Sequence, residues 1–232
     1  MARNPEQIPL SAIIEWDALN WGKALQFWEG MLPESLAGLQ ALDVGARHGG
    51  LSLYLARKGC RVVSSDLQGP THHARERHCH YGVSDRIAYA AVDATRIPFP
   101  ENTFHIVIFK SLLGDIGWDG DQGRQQQAFD EMYRVLKPNG CLLFAENLRG
   151  SAVHMFFRAR FVPWGNHWRY VTTDEMRRFA RRFTLFKYRA YGFWGAFGRS
   201  ELQRRLLHVF DVLTDWLLPE TSKYILFGYA AK

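Results

Sequence analysis

The sequence has few cysteines and no long apolar run. Its 232 residues include three cysteines, and their odd number and wide spacing argue against a disulfide framework. Cys60 and Cys141 lie beside or inside predicted strands, and we expect all three, including Cys79, to be buried, reduced thiols. The apolar runs, such as 106–109 and 142–145, are far shorter than the roughly 20 residues of a membrane-spanning helix. We therefore expect no transmembrane segment.

Charge is also limited, because Asp, Glu, Lys and Arg make up 22% of the sequence while hydrophobic residues make up 47%. This balance excludes a disordered or fibrous chain and is typical of a globular protein. The length suits one α/β domain with embellishments. The N-terminus lacks an apolar core followed by small residues, so we expect no secretory signal and a cytoplasmic location.

Positive charge is concentrated late in the chain. The formal net charge is +6, and Arg177, Arg178, Arg181 and Arg182 repeat at helical spacing. One interpretation is a solvated helix face. The alternative is a site for an anionic partner, which leaves nucleic acid, an anionic membrane surface and a phosphorylated substrate open.

Short apolar runs alternate with longer amphipathic stretches, which is typical of a parallel sheet covered by helices. Strands are predicted at 39–44, 61–65, 87–92, 104–109, 141–145, 185–191 and 224–230, and helices at 11–30, 51–58, 125–136, 153–160, 173–183 and 201–218. The last two strands are candidates for antiparallel pairing. The predicted fold class is α/β, a Rossmann-like, seven-stranded, mostly parallel sheet with an antiparallel C-terminal strand and helices on both faces.

A glycine-rich segment, 41–50, directly follows the first predicted strand and precedes the next helix. A loop in that position presents backbone N–H groups to a ligand. Gly45 can adopt backbone angles that other residues avoid, while Gly49 and Gly50 allow a helix to pack closely on a strand. Asp43, just before the loop, is placed to fix its backbone or to meet a cationic group of a ligand.

Acidic residues follow the next two predicted strands. Asp66 lies about 20 positions after Gly45, which is the interval at which a carboxylate meets ribose hydroxyls. Asp93 follows the third strand, where its carboxylate is placed to accept a hydrogen bond from the exocyclic amine of an adenine. Together with Asp43, these acids predict an adenosine site at the carboxyl ends of the strands.

Further motifs continue this order along the chain. The segment 97–104 leads into the fourth strand, and Arg-Val-Leu-Lys-Pro-Asn-Gly at 134–140 precedes the fifth. With Leu-Asp-Val-Gly at 42–45, Asp66 and Asp93-Ala94, the region 40–147 resembles the class I S-adenosylmethionine-dependent methyltransferases, in the broad group that includes quinone-biosynthesis enzymes. The resemblance implies a set of cofactor-binding residues, namely Asp43, Gly45, Ala46, Arg47, Gly49, Asp66, Leu67, Asp93, Ala94 and Lys110.

Two residues depart from the family's pattern. Arg47 occupies the position of the second glycine of the family's Gly-x-Gly-x-Gly loop, and His105 stands where an Asp is common. We expect Arg47 to keep an ordinary backbone conformation and to point away from the cofactor, or to pair with the methionine carboxylate.

The resemblance also implies how a single methyltransferase domain is divided. Residues 1–37 are expected to form an N-terminal helical extension, 40–147 the cofactor-binding core, and 148–232 an acceptor-side insert with the C-terminal strands. Within the insert, aromatic residues alternate with arginines over 153–170. This pattern suits stacking on rings and pairing with phosphates, or alternatively an aromatic cap on the core.

Methyl transfer requires that the acceptor be held in line with the methyl group, and it does not demand a fixed base. The candidates for a base are His154, His167 and Asp115, followed by His48 and Glu146. We expect the acceptor to be bound by residues of the N-terminal helix and the insert, namely Trp21, Arg158, Trp168 and Arg169, with Trp16, Asn20, Arg160 and Trp164 as neighbours.

The predicted function is S-adenosylmethionine-dependent methyl transfer, at oxygen, to a small-molecule, glycan or lipid-linked acceptor. Two alternatives are open: an RNA methyltransferase, indicated by the basic cluster but opposed by the lack of a recognisable RNA-binding module, and a non-catalytic cofactor-binding protein, indicated by Arg47. Nucleic acid is disfavoured as a partner, and peripheral contact with a membrane is open. The His and Cys residues within 72–80 lack the separated pairs that hold a tetrahedral ion, so no metal is predicted.

Overall fold

The computed structural model describes residues 8–163 and 167–232. Its strands are β1 (Gln40–Val44), β2 (Arg61–Asp66), β3 (Ile87–Ala91), β4 (Phe104–Lys110), β5 (Leu136–Asn147), β6 (Leu185–Tyr191) and β7 (Ile225–Ala231). They form one seven-stranded sheet in the order β3-β2-β1-β4-β5-β7-β6. β7 is antiparallel to both of its neighbours, and the other strand pairs are parallel. The predicted sheet is therefore confirmed, including its antiparallel C-terminal strand.

Helices cover both faces of this sheet. They are α1 (Leu10–Ile14), α2 (Ala18–Trp21), α3 (Lys23–Glu29), α4 (Gly50–Arg57), α5 (His72–His80), α6 (Leu113–Ile116), α7 (Gln122–Val135), α8 (Ala152–Phe161), α9 (Thr173–Phe179) and α10 (Glu201–Thr214). Within the ranges that the structure describes, no helix combines the length and apolar character that crossing a bilayer requires.

The buried core has two parts because successive side chains of a strand point to opposite faces of a sheet. Along β4, Ile106 and Ile108 belong to one buried cluster, whereas Val107 and Phe109 belong to the other. Helices α3 and α4 complete the first cluster, and α7 and α9 complete the second. The central strands are thus packed between two layers of buried side chains and helices, which fix the position of their carboxyl ends.

The prediction of a single helix over 11–30 is wrong. The chain forms α1, α2 and α3 there, with breaks at Glu15 and Asp17, whose φ angles are 74° and 44°. The breaks fold Trp16 back over the end of β4. Asp17 meanwhile accepts a hydrogen bond from the hydroxyl of Tyr224, just before β7. These distant contacts outweigh the local helix propensity.

The three cysteines do not share one environment. Cys60 and Cys141 are buried as predicted, and burial raises their pKa to about 11 and about 12. Cys79 lies exposed on α5, so its predicted burial is wrong. Its neighbour His78 points inward instead, against β3 and the end of the glycine-rich segment.

Candidate cofactor and acceptor site

A cavity of about 660 Å³ lies at the carboxyl ends of β1, β2 and β4. The sheet side of its lining includes Asp43, Gly45, Asp66 and Lys110. The opposite side comes from the segment that joins α1 to α2, from the region around α8, and from the residues before α10. In open α/β sheets, ligands bind at this end of the strands.

The loop after β1 contains three residues with positive φ angles, Gly45, Arg47 and Gly49. Gly45 has a φ of 71°, and a Cβ there would lie 2.7 Å from Leu112 Cδ1, so only glycine fits without rearrangement. Arg47 has a φ of 47°, which makes the predicted ordinary backbone wrong. The turn is held from both sides, because the Arg47 amide donates to Asp66 Oδ2 at 2.9 Å and its carbonyl accepts from the Thr71 amide at 3.1 Å.

The next two glycines make room for helices, not for a strand as predicted. A Cβ on Gly49 would lie 2.5 Å from the His78 ring of α5, and one on Gly50 would lie 2.0 Å from the Ile13 carbonyl oxygen of α1. His78 is buried and donates through Nε2 to the Gly49 carbonyl at 2.8 Å, while Nδ1 accepts from the Tyr89 hydroxyl at 2.9 Å. Helices α1 and α5 are thereby packed against the start of α4.

Asp66 and Asp43 play different parts at the cavity wall. Asp66 accepts from the Leu67 amide through Oδ1 at 2.8 Å and from the Arg47 amide through Oδ2. Each carboxylate oxygen keeps a further lone-pair site for a ligand hydroxyl. Asp43 is buried, accepts from Ser52 Oγ at 2.6 Å, and ties β1 to α4. Burial raises the pKa of Asp43 to about 7.

The third acid of the predicted adenosine site does not line this cavity. Asp93 Oδ1 accepts from the amide and the hydroxyl of Thr95 at 2.8 and 2.7 Å, and these bonds lower its pKa. Leu67, Ala94 and Gly49 are likewise absent from the lining, whereas Ala46 and Arg47 belong to it. A contact between Asp93 and an adenine stays a prediction.

Lys110 is the last residue of β4, and its side-chain nitrogen has an unusual environment. Nζ is buried and has no hydrogen-bond partner among the described residues. It lies 2.8 Å from the centroid of the Trp16 ring and 4.9 Å from that of Trp21. Burial lowers the pKa of Lys110 well below its usual range, against the opposing influence of the Glu15 carboxylate. A lysine held this way is shifted toward its neutral amine.

Several residues predicted for the acceptor do line the cavity. Trp21, Arg158 and Trp168 belong to its wall, together with the candidate base Asp115. The indole Nε1 of Trp168 is buried and lacks a partner within the described ranges. The guanidinium of Arg158 lies 3.9 Å from the Tyr170 ring centroid. The predicted contact of Trp164 lies outside the described residues.

Both histidines proposed as bases lie outside the cavity lining, so a catalytic role for them stays a prediction. His154 is buried and accepts from the Ser151 amide through Nδ1 at 3.1 Å, while Nε2 donates to the Phe193 carbonyl at 2.9 Å. It completes a capping box at the start of α8, and burial lowers its pKa to about 4. His167 is exposed, stacks on Trp118 and lies 2.6 Å from Asp119 Oδ1.

Two residues predicted to contact the acceptor also lie outside the cavity lining. The Arg169 guanidinium is bound by Glu175 and Gln125, which fixes the start of α9 and keeps the arginine out of the cavity lining. Asn20 is fully buried and donates to Asp17 and Asp211 at 3.1 Å each. Both side chains stabilise the fold.

The two further base candidates also have structural partners. Glu146 is buried and accepts from the amides of Leu112 and Leu113 at 2.8 and 2.7 Å, which fixes the loop after β4. His48 lies 2.9 Å from the Thr71 hydroxyl through Nδ1 and is not part of the cavity lining. Neither of these side chains faces the cavity.

The sequence missed other residues of the cavity wall. Ser111 directly follows β4, and Asn147 is the last residue of β5. The side-chain amide of Asn147 donates to Ser111 Oγ at 2.7 Å. Their position at carboxyl ends was a usable signal. Tyr224 and Arg204 reach the wall only through tertiary packing of segments that are distant in sequence, and no local pattern indicates them.

Comparison with known proteins agrees with this geometry. The family described as "Methyltransferase domain" matches residues 42–144. A ubiquinone/menaquinone biosynthesis C-methyltransferase of Methylococcus capsulatus is 32% identical over 114 residues, which cover 47% of this chain and 44% of that protein. A demethylmenaquinone methyltransferase of Clavibacter sepedonicus is 31% identical over 112 residues, covering 48% and 42%. The matches thus span less than half of the length of these relatives.

Solved structures show the same fold over most of the chain. Phosphoethanolamine N-methyltransferase 2 of Haemonchus contortus, in complex with S-adenosyl-L-methionine, superposes with a TM-score of 0.66 at 21% identity, over 91% of this chain and 52% of that one. The [4+2]-cyclase SpnF superposes with a TM-score of 0.59 at 17% identity, over 91% and 80%. Residues 42–144 are therefore similar to the methyltransferase domain family, and most of the chain shares the fold of these solved structures.

Proposed function

We propose that this chain binds S-adenosylmethionine in the cavity above β1, β2 and β4 and transfers its methyl group to a small, ring-containing acceptor. When bound, the cofactor supplies an electrophilic methyl group on a sulfonium. The observation that carries the proposal is that the glycine loop and the Asp66 carboxylate open onto the same cavity as Lys110. The groups proposed to bind the cofactor and the group proposed to take part in the reaction thus line the same cavity.

The residues fit the cofactor. The free lone pairs of Asp66 suit two ribose hydroxyls, and the backbone of the left-handed loop at Gly45 lets a ligand approach the main chain. Arg47 is placed on the same wall, where its guanidinium suits a carboxylate. The unpartnered Nε1 of Trp168 is a further sign of a ligand, because a buried donor without a partner costs about 1–3 kcal/mol.

Aromatic side chains favour an acceptor with a ring. Trp16, Trp21, Trp168 and Tyr170 all contribute to the wall, and offset or edge contacts with such side chains stabilise a bound ring. Arg158 is stacked on Tyr170 and suits an anionic or phenolic oxygen of the acceptor. The relatives named for ubiquinone and menaquinone biosynthesis support a quinone-like ring with a lipid tail. They also favour carbon over the oxygen expected from the sequence as the methylated atom.

Lys110 is our candidate for the catalytic base. Its amine is buried at the cavity, and burial lowers its pKa, which favours the neutral form that carries a free lone pair. As the new bond to the acceptor forms and the bond from methyl to sulfur breaks, the acceptor loses a proton from a hydroxyl or ring carbon. Nζ accepts this proton and becomes an ammonium, so charge and atoms balance.

The alternative of an RNA methyltransferase has less support. Within the basic cluster, Arg177 pairs with Asp174 at 2.7 Å and Arg182 with Asp130 at 3.5 Å. These ion pairs reduce the positive charge that phosphate binding would require. The solvated helix face is the better interpretation of that cluster.

Two measurements test the proposed function. Calorimetric titration with S-adenosylmethionine and S-adenosylhomocysteine tests cofactor binding, and absence of binding would overturn the proposal. Incubation of quinone-like and phenolic acceptor pools with isotope-labelled cofactor, followed by mass spectrometry, tests transfer. A gain of one labelled methyl group is expected on a ring-containing compound. Binding without transfer to any ring-containing acceptor would favour the non-catalytic alternative.

A further inference from the structure

Helix α10 packs with its polar face toward the protein. Asp211 is fully buried, and its carboxylate accepts from the amides of Trp194 and Gly195 at 2.7 and 2.9 Å. Asp215, one turn later, is also buried and accepts from the Gly192 amide at 3.0 Å. The outer face, continued past the end of the helix, is apolar, with exposed fractions of 54–78% at Leu202, Leu206, Val209, Leu213, Trp216 and Leu217.

This orientation is the reverse of that in an ordinary surface helix, whose apolar stripe faces the core. At 100° per residue, Leu202, Leu206, Val209 and Leu213 fall on the face opposite Asp211. Large exposed apolar patches on proteins mark interaction sites. The outward face of α10 therefore needs a partner that accepts apolar side chains.

The apolar face continues onto α8. Phe156, Phe157 and Phe161 are 64%, 41% and 47% exposed. Phe157 packs on Phe197, in the 3₁₀ turn Trp194–Phe197, with ring centroids 5.3 Å apart. Trp194, in the same turn, lies 6.3 Å from Phe210 of α10. We call the exposed apolar residues of α8, this turn and α10 the α8–α10 surface.

Cationic side chains accompany the α8–α10 surface. Arg160, Arg199 and Arg205 are exposed, and none of them forms an ion pair with a described residue. The Arg199 guanidinium lies 4.6 Å from the Phe161 ring centroid, directly beside the apolar residues. The exposed acid of α10, Glu201, is paired with Arg204 at 2.8 Å. The surface is thus apolar with a positive border.

We propose that the α8–α10 surface binds an anionic lipid bilayer, with α10 lying in the plane of the interface. Interfacial helices insert Trp, Phe and Leu about 5–10 Å into the boundary between headgroups and acyl chains, and nearby arginines attract anionic lipids. A second copy of the chain fits less well, because a two-fold interface pairs this surface with itself, and the exposed acid of α10, Glu201, is already paired with Arg204. The charge therefore favours lipid over self-association.

The surface also adjoins the cavity. Val162, directly after α8, and Ala196 of the 3₁₀ turn line the cavity, as does Arg204 of α10. A bilayer at the α8–α10 surface would therefore lie beside the cavity wall, where an acceptor with an apolar tail could pass from lipid to the reacting groups. This last step rests on the proposed function, whereas membrane binding itself does not.

The test is co-sedimentation of the full chain with vesicles. We expect binding to vesicles of phosphatidylglycerol and phosphatidylcholine, weaker binding to phosphatidylcholine alone, and a decrease with added salt. The double variant Leu206→Glu with Leu213→Glu should lose binding. Arg199→Gln and Arg205→Gln should each weaken it about fivefold, because one cation near an anionic membrane contributes about 1 kcal/mol. Leu185→Glu is the matched control, since Leu185 is 41% exposed at the far end of β6.

Three outcomes would overturn the proposal: no binding to either kind of vesicle, equal loss in the Leu185→Glu control, or a concentration-dependent dimer that Leu206→Glu with Leu213→Glu abolishes. Circular dichroism and S-adenosylmethionine binding, measured on every variant, show whether the fold is intact. Because they are separate readouts, a chain that binds vesicles but not the cofactor would contradict the proposed function and leave the membrane surface standing.

Discussion

The Nζ atom of Lys110 lies 2.8 Å from the centroid of the Trp16 ring. The two residues belong to opposite walls of the cavity, since Lys110 ends β4 and Trp16 lies in the break between α1 and α2. The positive φ angles of Glu15 and Asp17 turn the chain so that the Trp16 ring reaches Lys110. The N-terminal segment thus covers the basic group that we assign to the reaction.

Replacing Trp16 by alanine should raise the pKa of Lys110. The ring keeps water from Nζ, and burial is the largest cause of the lowered pKa, so water entering the space would favour the charged amine. Titration of ¹³C-labelled lysines by NMR measures the shift directly. Trp118→Ala, which removes a half-exposed indole stacked on His167, is the control and should leave the Lys110 titration unchanged.

Lys110→Met should lower kcat by roughly 10²–10⁴, the usual contribution of a positioned base. Methionine fills similar space and leaves the cavity wall apolar, so the affinity for S-adenosylmethionine should change little. Steady-state kinetics on the acceptor found by mass spectrometry, with calorimetry for the cofactor, separates the two effects. Lys58→Met, at a lysine paired with Glu29 away from the cavity, is the control. Undiminished turnover in Lys110→Met would remove this lysine from the reaction.

Asp66→Ala should weaken cofactor binding by roughly ten- to a hundredfold, because paired hydrogen bonds to a charged group contribute about 1.5–3 kcal/mol. Asp66→Ala also removes the acceptor of the Arg47 backbone amide. Asp66→Asn keeps one side-chain oxygen that can accept from this amide, so it should weaken cofactor binding less. Calorimetry with S-adenosylhomocysteine gives both values. Asp85→Ala, at an exposed carboxylate, should bind like the wild type. An unchanged affinity in a folded Asp66→Ala protein would contradict the site assignment.

Strand patterns are local, and they predicted the sheet well. The segment 185–191 was predicted as a strand and is β6 over the same residues. The glycine loop and Asp66 were placed correctly at one cavity because the carboxyl ends of parallel strands meet at one edge of the sheet. Such features depend on short-range periodicity and on topology rules that apply to all sheets of this kind.

Side-chain partners, whether near or distant in sequence, were not predictable from residue type. Arg169 looked available for an acceptor until Glu175 and Gln125 were seen to bind it. His154 was indistinguishable in sequence from a base, yet its ring is occupied by Ser151 and Phe193. A polar residue's type indicates which bonds it can form, whereas the fold decides which partner it meets.

Asp43→Asn should remove a pH dependence of stability. Burial raises the pKa of Asp43 from 3.8 to about 7, so the folded state binds this proton more tightly than the unfolded state. The associated stability is full below about pH 3.8 and is lost progressively up to about pH 7. The free energy of unfolding of the wild type minus that of the variant should therefore fall across this window, by at most about 1.4 kcal/mol per pH unit. Urea titrations at several pH values measure it.

The control for this measurement is Asp85→Asn, which removes a carboxyl that is exposed on the surface. Comparing each variant with the wild type at the same pH cancels the contributions of the other titrating groups. A difference for Asp43→Asn that stays flat, or that rises with pH, would contradict the stabilisation of the protonated form by burial.

Arg47→Gly should leave the fold nearly as stable and weaken cofactor binding by up to about tenfold. The left-handed backbone at φ 47° costs an ordinary residue roughly 1–2 kcal/mol, and glycine avoids this cost but loses about 0.5–1 kcal/mol in chain entropy. These effects largely offset each other. Binding weakens because the guanidinium on the cavity wall is lost as a partner for the methionine carboxylate. Arg47→Gln keeps the backbone cost and removes only the charge, so it should lose the same affinity as Arg47→Gly when both are measured by calorimetry. Tighter binding in Arg47→Gly than in the wild type would show instead that the arginine obstructs the loop.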